Sequence, residues 1–335
     1  MSDAVWTPSL QQVAASNLTR FAEFARERYG APPGNYSALW RWSVDERESF
    51  WSALVEFASV IRTPGDAPVL QQRDRMPGAR WFADTRLNFA ENLLARRDDH
   101  VALVFRNERG TRRAMTYGEL HAEVARVAAG LRELGIRPGD RVAGFLPNLP
   151  EAVIAMLATT SLGAVWTSCS PDFGINGVLD RFGQVEPRVL FTADGYFYGG
   201  KTLDSLGPIR GVLARLPSVE KVVVVPYVVS NPDLSGLPAA AAFGDFGKRG
   251  TPLEFTRVEF DAPLYVMYSS GTTGVPKCIV HGVGGTLLQH LKEHLLHTDL
   301  KPDDRLFFFT TCGWMMWNWL ASALATGCTL VLYEG

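Results

Sequence analysis

From Val101 onward, short apolar runs alternate with longer stretches of helical spacing. The runs are Val101–Arg106, Val142–Leu146, Val165–Cys169, Val189–Thr192, Val222–Val225, Leu264–Tyr268, Leu306–Thr310 and Leu330–Tyr333. Runs this short and this continuously apolar suit strands covered on both faces. Between several of them lie the helical candidates Tyr117–Leu134, Glu151–Leu162, Ile175–Gln184 and Leu203–Leu216. Thr116 with Glu119 three residues on makes a capping box for the first of these. The alternation predicts an α/β fold, with layered, mostly parallel sheets and helices on both faces. Pro232–Gly250 is rich in Gly, Pro and Ala and lacks periodicity, and reads as a loop between subdomains.

The first 97 residues follow a different pattern, helix-rich and aromatic. Leu10–Tyr29 carries Val13, Leu18, Phe21, Phe24 and Ala25 at helical spacing. Ser43 and Glu46 resemble a capping box ahead of Phe50, Trp51, Leu54 and Phe57. Trp6, Trp40, Trp42, Trp51 and Trp81 are expected to pack these helices against the next domain.

Composition narrows the field. A chain of 335 residues, 47% hydrophobic and 20% charged, has room for about two or three packed domains. A formal net charge of -2 offers no polybasic footprint, so nucleic acid and an anionic membrane are poor partners and small molecules are expected. Cys169, Cys278, Cys312 and Cys328 are scattered without a C-x-x-C pair, which fits reduced thiols in a cytoplasmic protein. The longest apolar stretch, Ala152–Trp166, is interrupted by Thr159, Thr160, Ser161 and Gly163. It is short for a bilayer span, and a buried helix running into a strand explains it better. No signal-peptide pattern opens the chain.

The segment Tyr268–Lys277, Y-S-S-G-T-T-G-V-P-K, carries the chemistry. Gly271 and Gly274 allow backbone angles closed to other residues, so successive N–H groups can turn toward an anion. Ser269, Ser270, Thr272 and Thr273 add neutral donors, and Lys277 adds a positive charge. A phosphate chain is the expected guest. The Walker pattern does not fit, since Gly271 and Gly274 stand too close and Cys278 occupies the place of the Mg-binding hydroxyl.

This spacing resembles the core signature of the adenylate-forming acyl-CoA synthetase superfamily. Met115–Leu120 and Gly135–Ala143 resemble the opening of its adenylation domain, and Arg80–Leu94, Leu146–Ala158 and Gly163–Phe173 are similar to its acetyl-CoA synthetase side. C-G-W-M-M-W-N, Cys312–Asn318, together with L-N-F-A-E-N-L-L resembles the acetoacetate-activating branch. The resemblance implies ATP, Mg²⁺ and CoA, with ligation through an acyl-adenylate. It implies Ser269–Gly274 on the phosphates, Thr272 or Thr273 on Mg²⁺, and Lys277 on the departing pyrophosphate. By motif position, Trp314, Met315 and Met316 map onto the acyl pocket, and Trp314 or Asn318 would donate to a keto oxygen. A helical core role for the two methionines stays open. Lys201 stands where acetyl-CoA synthetases have a basic CoA contact, or is a solvated lysine. His281 reads as a structural histidine near the cradle, and His290, His294 and His297 as a solvated face rather than a metal site.

The resemblance also implies a division into a helical extension at 1–97 and an incomplete AMP-binding domain at 98–335. The family's Thr-Glu pair, ribose-binding aspartate, hinge and adenylation lysine have no matching motif here. The expected state is therefore the N-terminal half of a larger enzyme, inactive or nearly so unless a C-terminal polypeptide completes it. A ligase for another short acid and a non-catalytic nucleotide-binding module remain the rivals.

Overall fold

In the computed structural model, which describes residues 5–269 and 274–335, a seven-stranded sheet forms the central layer. Its order is Ala241–Ala242, Lys221–Val225, Val189–Ala193, Arg141–Phe145, Val165–Cys169, Pro263–Tyr268, Cys278–Gly282. All neighbours are parallel except the last pair, an antiparallel hairpin. A second sheet runs Arg305–Phe307, Thr329–Glu334, Val101–Asn107, Arg112–Thr116, with only the final pair antiparallel. The expected α/β class with mostly parallel strands is the observed one. Val142, Phe191 and Val223 are buried in a common core, as continuous apolar runs require.

All twelve residues of the Pro150–Ser161 helix are buried, which explains why its sequence shows no polar face. Pro150 opens it, where a missing N–H costs nothing. Strands 141–145 and 165–169 approach so closely that a Cβ on Gly144 would lie 2.6 Å from the Trp166 ring. Among the described residues no helix is long and apolar enough to cross a membrane.

Several expectations change. The Gly/Pro/Ala-rich stretch contributes the edge strand Ala241–Ala242 and buries Phe243 and Phe246 against the main core. The fully buried Arg126 holds it by donating to Phe243 O at 2.7 Å and to Phe246 O. Gly247, at φ +83°, passes so near that a Cβ would lie 1.9 Å from Arg126 O. Leu306–Thr310 shortens to Arg305–Phe307, and Leu203–Leu216 shortens to the helix Leu206–Leu213. Its first residues pair instead in the hairpin Gly195–Tyr198 with Lys201–Asp204.

In the N-terminal part, Leu10–Tyr29 divides into helices Leu10–Ala15 and Asn17–Tyr29. Ser16 is extended between them and accepts from Thr19 N–H as the cap of the second. Ser43 lies inside the helix Tyr36–Asp45 and donates to Trp40 O at 2.7 Å, so it caps nothing. Glu46 is the N-cap of Arg47–Phe57, without a side-chain bond. Trp42 is buried, whereas Trp6 and Trp40 are exposed and do not pack as expected. Phe21, Trp42, Phe50, Leu54 and Leu296 form a core of their own, while Leu87, Phe89 and Leu93 join the main one.

Candidate active site

The order of the large sheet reverses at Arg141–Phe145. The next strand in the chain, Val165–Cys169, lies on one side of it, and Val189–Ala193 lies on the other. In open parallel sheets such a reversal leaves a crevice beyond the strands' carboxyl ends, where ligands bind. Pro263–Tyr268 runs parallel to Val165–Cys169, so the segment after Tyr268 leaves from this same edge.

Ser269 and Lys277 close the mouth of that segment. Ser269 N–H donates to Lys277 O at 3.0 Å, and Lys277 N–H donates to Ser269 Oγ at 3.2 Å. Ser270, Gly271, Thr272 and Thr273 lie outside the described residues. Gly274 has φ +89°, a conformation that suits glycine. Lys277 is exposed, and Gln184 on the Ile175–Val185 helix donates to Pro276 O at 2.8 Å. Beneath the mouth, Thr167 donates to Val266 O at 2.8 Å and meets the Tyr268 hydroxyl at 2.6 Å. Thr167 spends its proton on Val266, so Tyr268 is the donor of the second bond.

Arg181 is a residue that motif reading missed. Its guanidinium lies 4.5 Å from the Phe173 ring centre and 5.7 Å from that of Tyr268. It thereby ties the loop after Val165–Cys169 to the foot of the hairpin through cation–π contact. Tyr268 is remote in sequence and Phe173 lies outside the helix that carries Arg181, so no local motif announces the pairing.

The second wall is the segment 312–318. Ser168 Oγ donates to Cys312 O at 2.6 Å, and Trp317 Nε1 donates to Asn148 Oδ1 at 2.9 Å. Gly313 sits where a Cβ would come within 3.1 Å of Ser170 N. The helix Met315–Ser322 begins here, leaving Trp314 60% and Met315 45% exposed and Met316 half-buried. Asn318 is 4% exposed. Its Nδ2 lies 3.3 Å from Met267 Sδ, and its Oδ1 has no partner among the described residues. Thr167, Ser168, Met267, Tyr268, Gly313 and Asn318 line one narrow cleft with room for no more than about one water, so an acid could enter only if these side chains part.

The structure thus brings Asn318 beside the strand that feeds the Ser269–Lys277 mouth and leaves Trp314 and Met315 facing outward. Lys201 is exposed on the hairpin 195–204. That hairpin is held by Phe197 N–H on Glu334 Oε1 at 2.6 Å and Gly200 N–H on Glu108 Oε1 at 2.9 Å. His281, on Cys278–Gly282, is paired in register with Tyr265, and partial burial lowers its pKa.

Of the expected solvated histidine face only His297 is exposed; His290 and His294 are buried. Burial drives the pKa of His290 down to about 3, helped by the neighbouring His294 and His281. Burial likewise lowers His294 to about 4, against the opposing effect of its bond to Trp319 O. The spacing of 290 and 294 did mark one helix face; that face turns inward. Among the described residues no group of three or more His, Cys, Asp or Glu could hold a metal ion. All four cysteines are free thiols, and burial raises the pKa of Cys169 and Cys312 well above the ordinary thiol range.

Residues 89–335 match the family model of AMP-binding enzymes, and residues 36–93 match that of the acetyl-coenzyme A synthetase N-terminus. Over 334 residues the chain is 49% identical to acetoacetyl-coenzyme A synthetase of Rhizobium meliloti (strain 1021), covering 99% of this chain and 51% of that protein. It is 44% identical over 345 residues to acetoacetyl-CoA synthetase of Danio rerio, at 100% and 51% coverage. The solved structure of acetoacetyl-CoA synthetase from Streptomyces lividans superposes with a TM-score of 0.95 at 47% identity, over 100% of this chain and 52% of that one. The chain spans about half the length of these relatives. With a family match running from Phe89 through the crevice to Gly335, the chain belongs to the AMP-binding enzymes.

Proposed function

We propose that the chain forms the nucleotide and acid walls of an acetoacetate–CoA ligase. In the first step a carboxylate oxygen of the acid attacks the α-phosphorus of ATP, and pyrophosphate leaves. In the second the CoA sulfur attacks the acyl carbon, its proton departs, and AMP leaves. Both reactants of the first step are anions, so their approach has to be held and their charge offset. The amides and hydroxyls of Ser269–Gly274 would grip the phosphates, and Lys277 would neutralise the departing pyrophosphate. The Thr272 or Thr273 hydroxyl would help to hold Mg²⁺, which would supply further charge neutralisation. Lys201 would meet an anionic part of CoA.

The observation that carries the choice of acid is the buried, half-satisfied amide of Asn318 beside Met267. Buried amides normally have partners. The group that a β-keto acid can meet is Asn318 Nδ2, which now has only a weak contact to Met267 Sδ at 3.3 Å. The acid's second carbonyl would accept from this N–H, while the bare Oδ1, itself an acceptor, gains nothing from a carbonyl. Met315, Met316 and Trp314 would close over its methyl end. The four free thiols support a reducing, cytoplasmic setting.

The test is acid-dependent exchange of labelled pyrophosphate into ATP by the protein that includes this chain, with the isolated 335 residues alongside. The proposal expects exchange with acetoacetate well above butyrate and acetate in the former, and little in the latter. Cleavage of ATP to ADP, or a preference for acetate, would overturn it.

A further inference from the structure

A π-helical turn, Glu293–His297, interrupts the backbone next to the second wall of the crevice. Thr298 N–H reaches five residues back to Glu293 O at 2.8 Å. Such a turn inserts a residue and re-aims the side chains around it, and it is found disproportionately at functional sites. Here two of those side chains hold the Met315–Ser322 helix. Glu293 Oε2 accepts the Trp319 indole N–H at 2.8 Å, while its Oε1 accepts the Gln289 amide at 2.7 Å.

His294 is fully buried and places Nε2 3.0 Å from Trp319 O and 2.9 Å from Ser322 Oγ. The Ser322 hydroxyl already donates to Trp319 O at 2.7 Å. Nε2 therefore carries the proton and donates to both. The imidazole also lies against the Trp319 ring, with centres 4.4 Å apart. The far end of the turn is anchored in the N-terminal part. Asn17 donates its backbone N–H to Asp299 Oδ1 at 2.7 Å and its amide to Leu300 O at 3.0 Å, and Leu296 packs in the core with Phe21 and Phe50.

The helix so held is eight residues long and has no side-chain cap at its start. A helix this short takes its orientation from tertiary contacts, not from its own stability. We infer that Glu293 and His294 are positioning residues: gripping Trp319 and Ser322, they fix the rotation of this helix and so aim the neighbouring Asn318 amide into the cleft. Neither lines the cleft itself. The inference rests on reading that cleft as the acid site, and it gives the N-terminal helices a physical route to it.

His294→Phe keeps a ring and removes the donor, whereas His294→Gln keeps a donor. Amide hydrogen exchange on the protein reports helix fixation without any need for activity. His294→Phe should lower protection across Met315–Ser322 about tenfold or more while Pro150–Ser161 stays protected, and His294→Gln should restore most of it. In the enzyme assay His294→Phe should raise KM for the acid about tenfold and leave KM for ATP unchanged. Should His294→Phe not fold, Glu293→Ala gives the same two readouts. Unchanged exchange at 315–322, or a loss shared equally with 150–161, overturns the inference. A wild-type enzyme that turns over no short acid strikes at the ligase reading alone, and the exchange result still decides this one.

Discussion

Two helices with apolar sequences, Pro150–Ser161 and Met315–Ser322, differ in how their polar atoms are satisfied. In Pro150–Ser161 the three closing hydroxyls all bond back to the helix: Thr159 to Ala155 O at 2.8 Å, Thr160 to Met156 O at 3.0 Å and Ser161 to Ala158 O at 2.7 Å. In Met315–Ser322 the buried Asn318 is left with one weak sulfur contact and a bare oxygen, while Met315 faces outward. The first helix is finished at its closing turn, although at its start Glu151 keeps Oε2 buried without a partner while Oε1 accepts from Arg113 at 2.5 Å. The second spends stability on a polar group that nothing in the described protein completes, which is how a binding wall differs from a packing wall.

The largest effect should come from the finished helix. Leu157 is fully buried, and Leu157→Ala is expected to cost about 2–5 kcal/mol in urea unfolding. A loss below about 1 kcal/mol would mean that this helix is not the core element described.

The next effect is set by pH. His290 and His294 have folded pKa values lowered from 6.5 to about 3 and about 4. A histidine held neutral this way contributes its full stability above about pH 6.5 and loses it as pH falls toward the folded value. By linkage the loss at pH 5 is about 2 kcal/mol for each histidine relative to pH 8. Urea midpoints for wild type and His290→Leu should diverge from pH 8 to pH 5, with the variant flatter. Parallel curves would contradict the burial of this pair. The smallest effect belongs to the outward residue: Met315→Ala should shift stability by less than about 0.5 kcal/mol, measured by the same unfolding curves.

Much of the α/β frame was legible because a strand buried on both faces is largely apolar, as Val222–Val225 is throughout and Val165–Cys169 is apart from Thr167 and Ser168, whose hydroxyls bond to Val266 O and Cys312 O. The Thr116–Glu119 capping box was equally plain, being local. Ser43 misled because its hydroxyl bonds inside the preceding helix, an outcome that residue spacing does not distinguish from a cap. Phe243 and Phe246 were hidden in a stretch that looked like linker, since the residue that locks them, Arg126, stands far off in the chain. The cradle was readable as a string of residue types; its centre, 270–273, lies outside the described residues. Arg181 and the grip of His294 on Trp319 depend on tertiary neighbours alone. The features that escaped the sequence are therefore mostly long-range partnerships, and those it revealed are mostly burial.

The most direct test of the account is the ratio of kcat/KM for acetoacetate to that for butyrate, in wild type and in Asn318→Leu of the protein that includes this chain, with urea unfolding alongside. The expected ratio is about a hundredfold or more in wild type, collapsing to a few-fold in the variant, since a site built for a polar group rejects its absence strongly. Stability should not fall, because the substitution removes an unsatisfied buried amide. An unchanged ratio with lowered stability would make Asn318 an ordinary core residue and contradict the account.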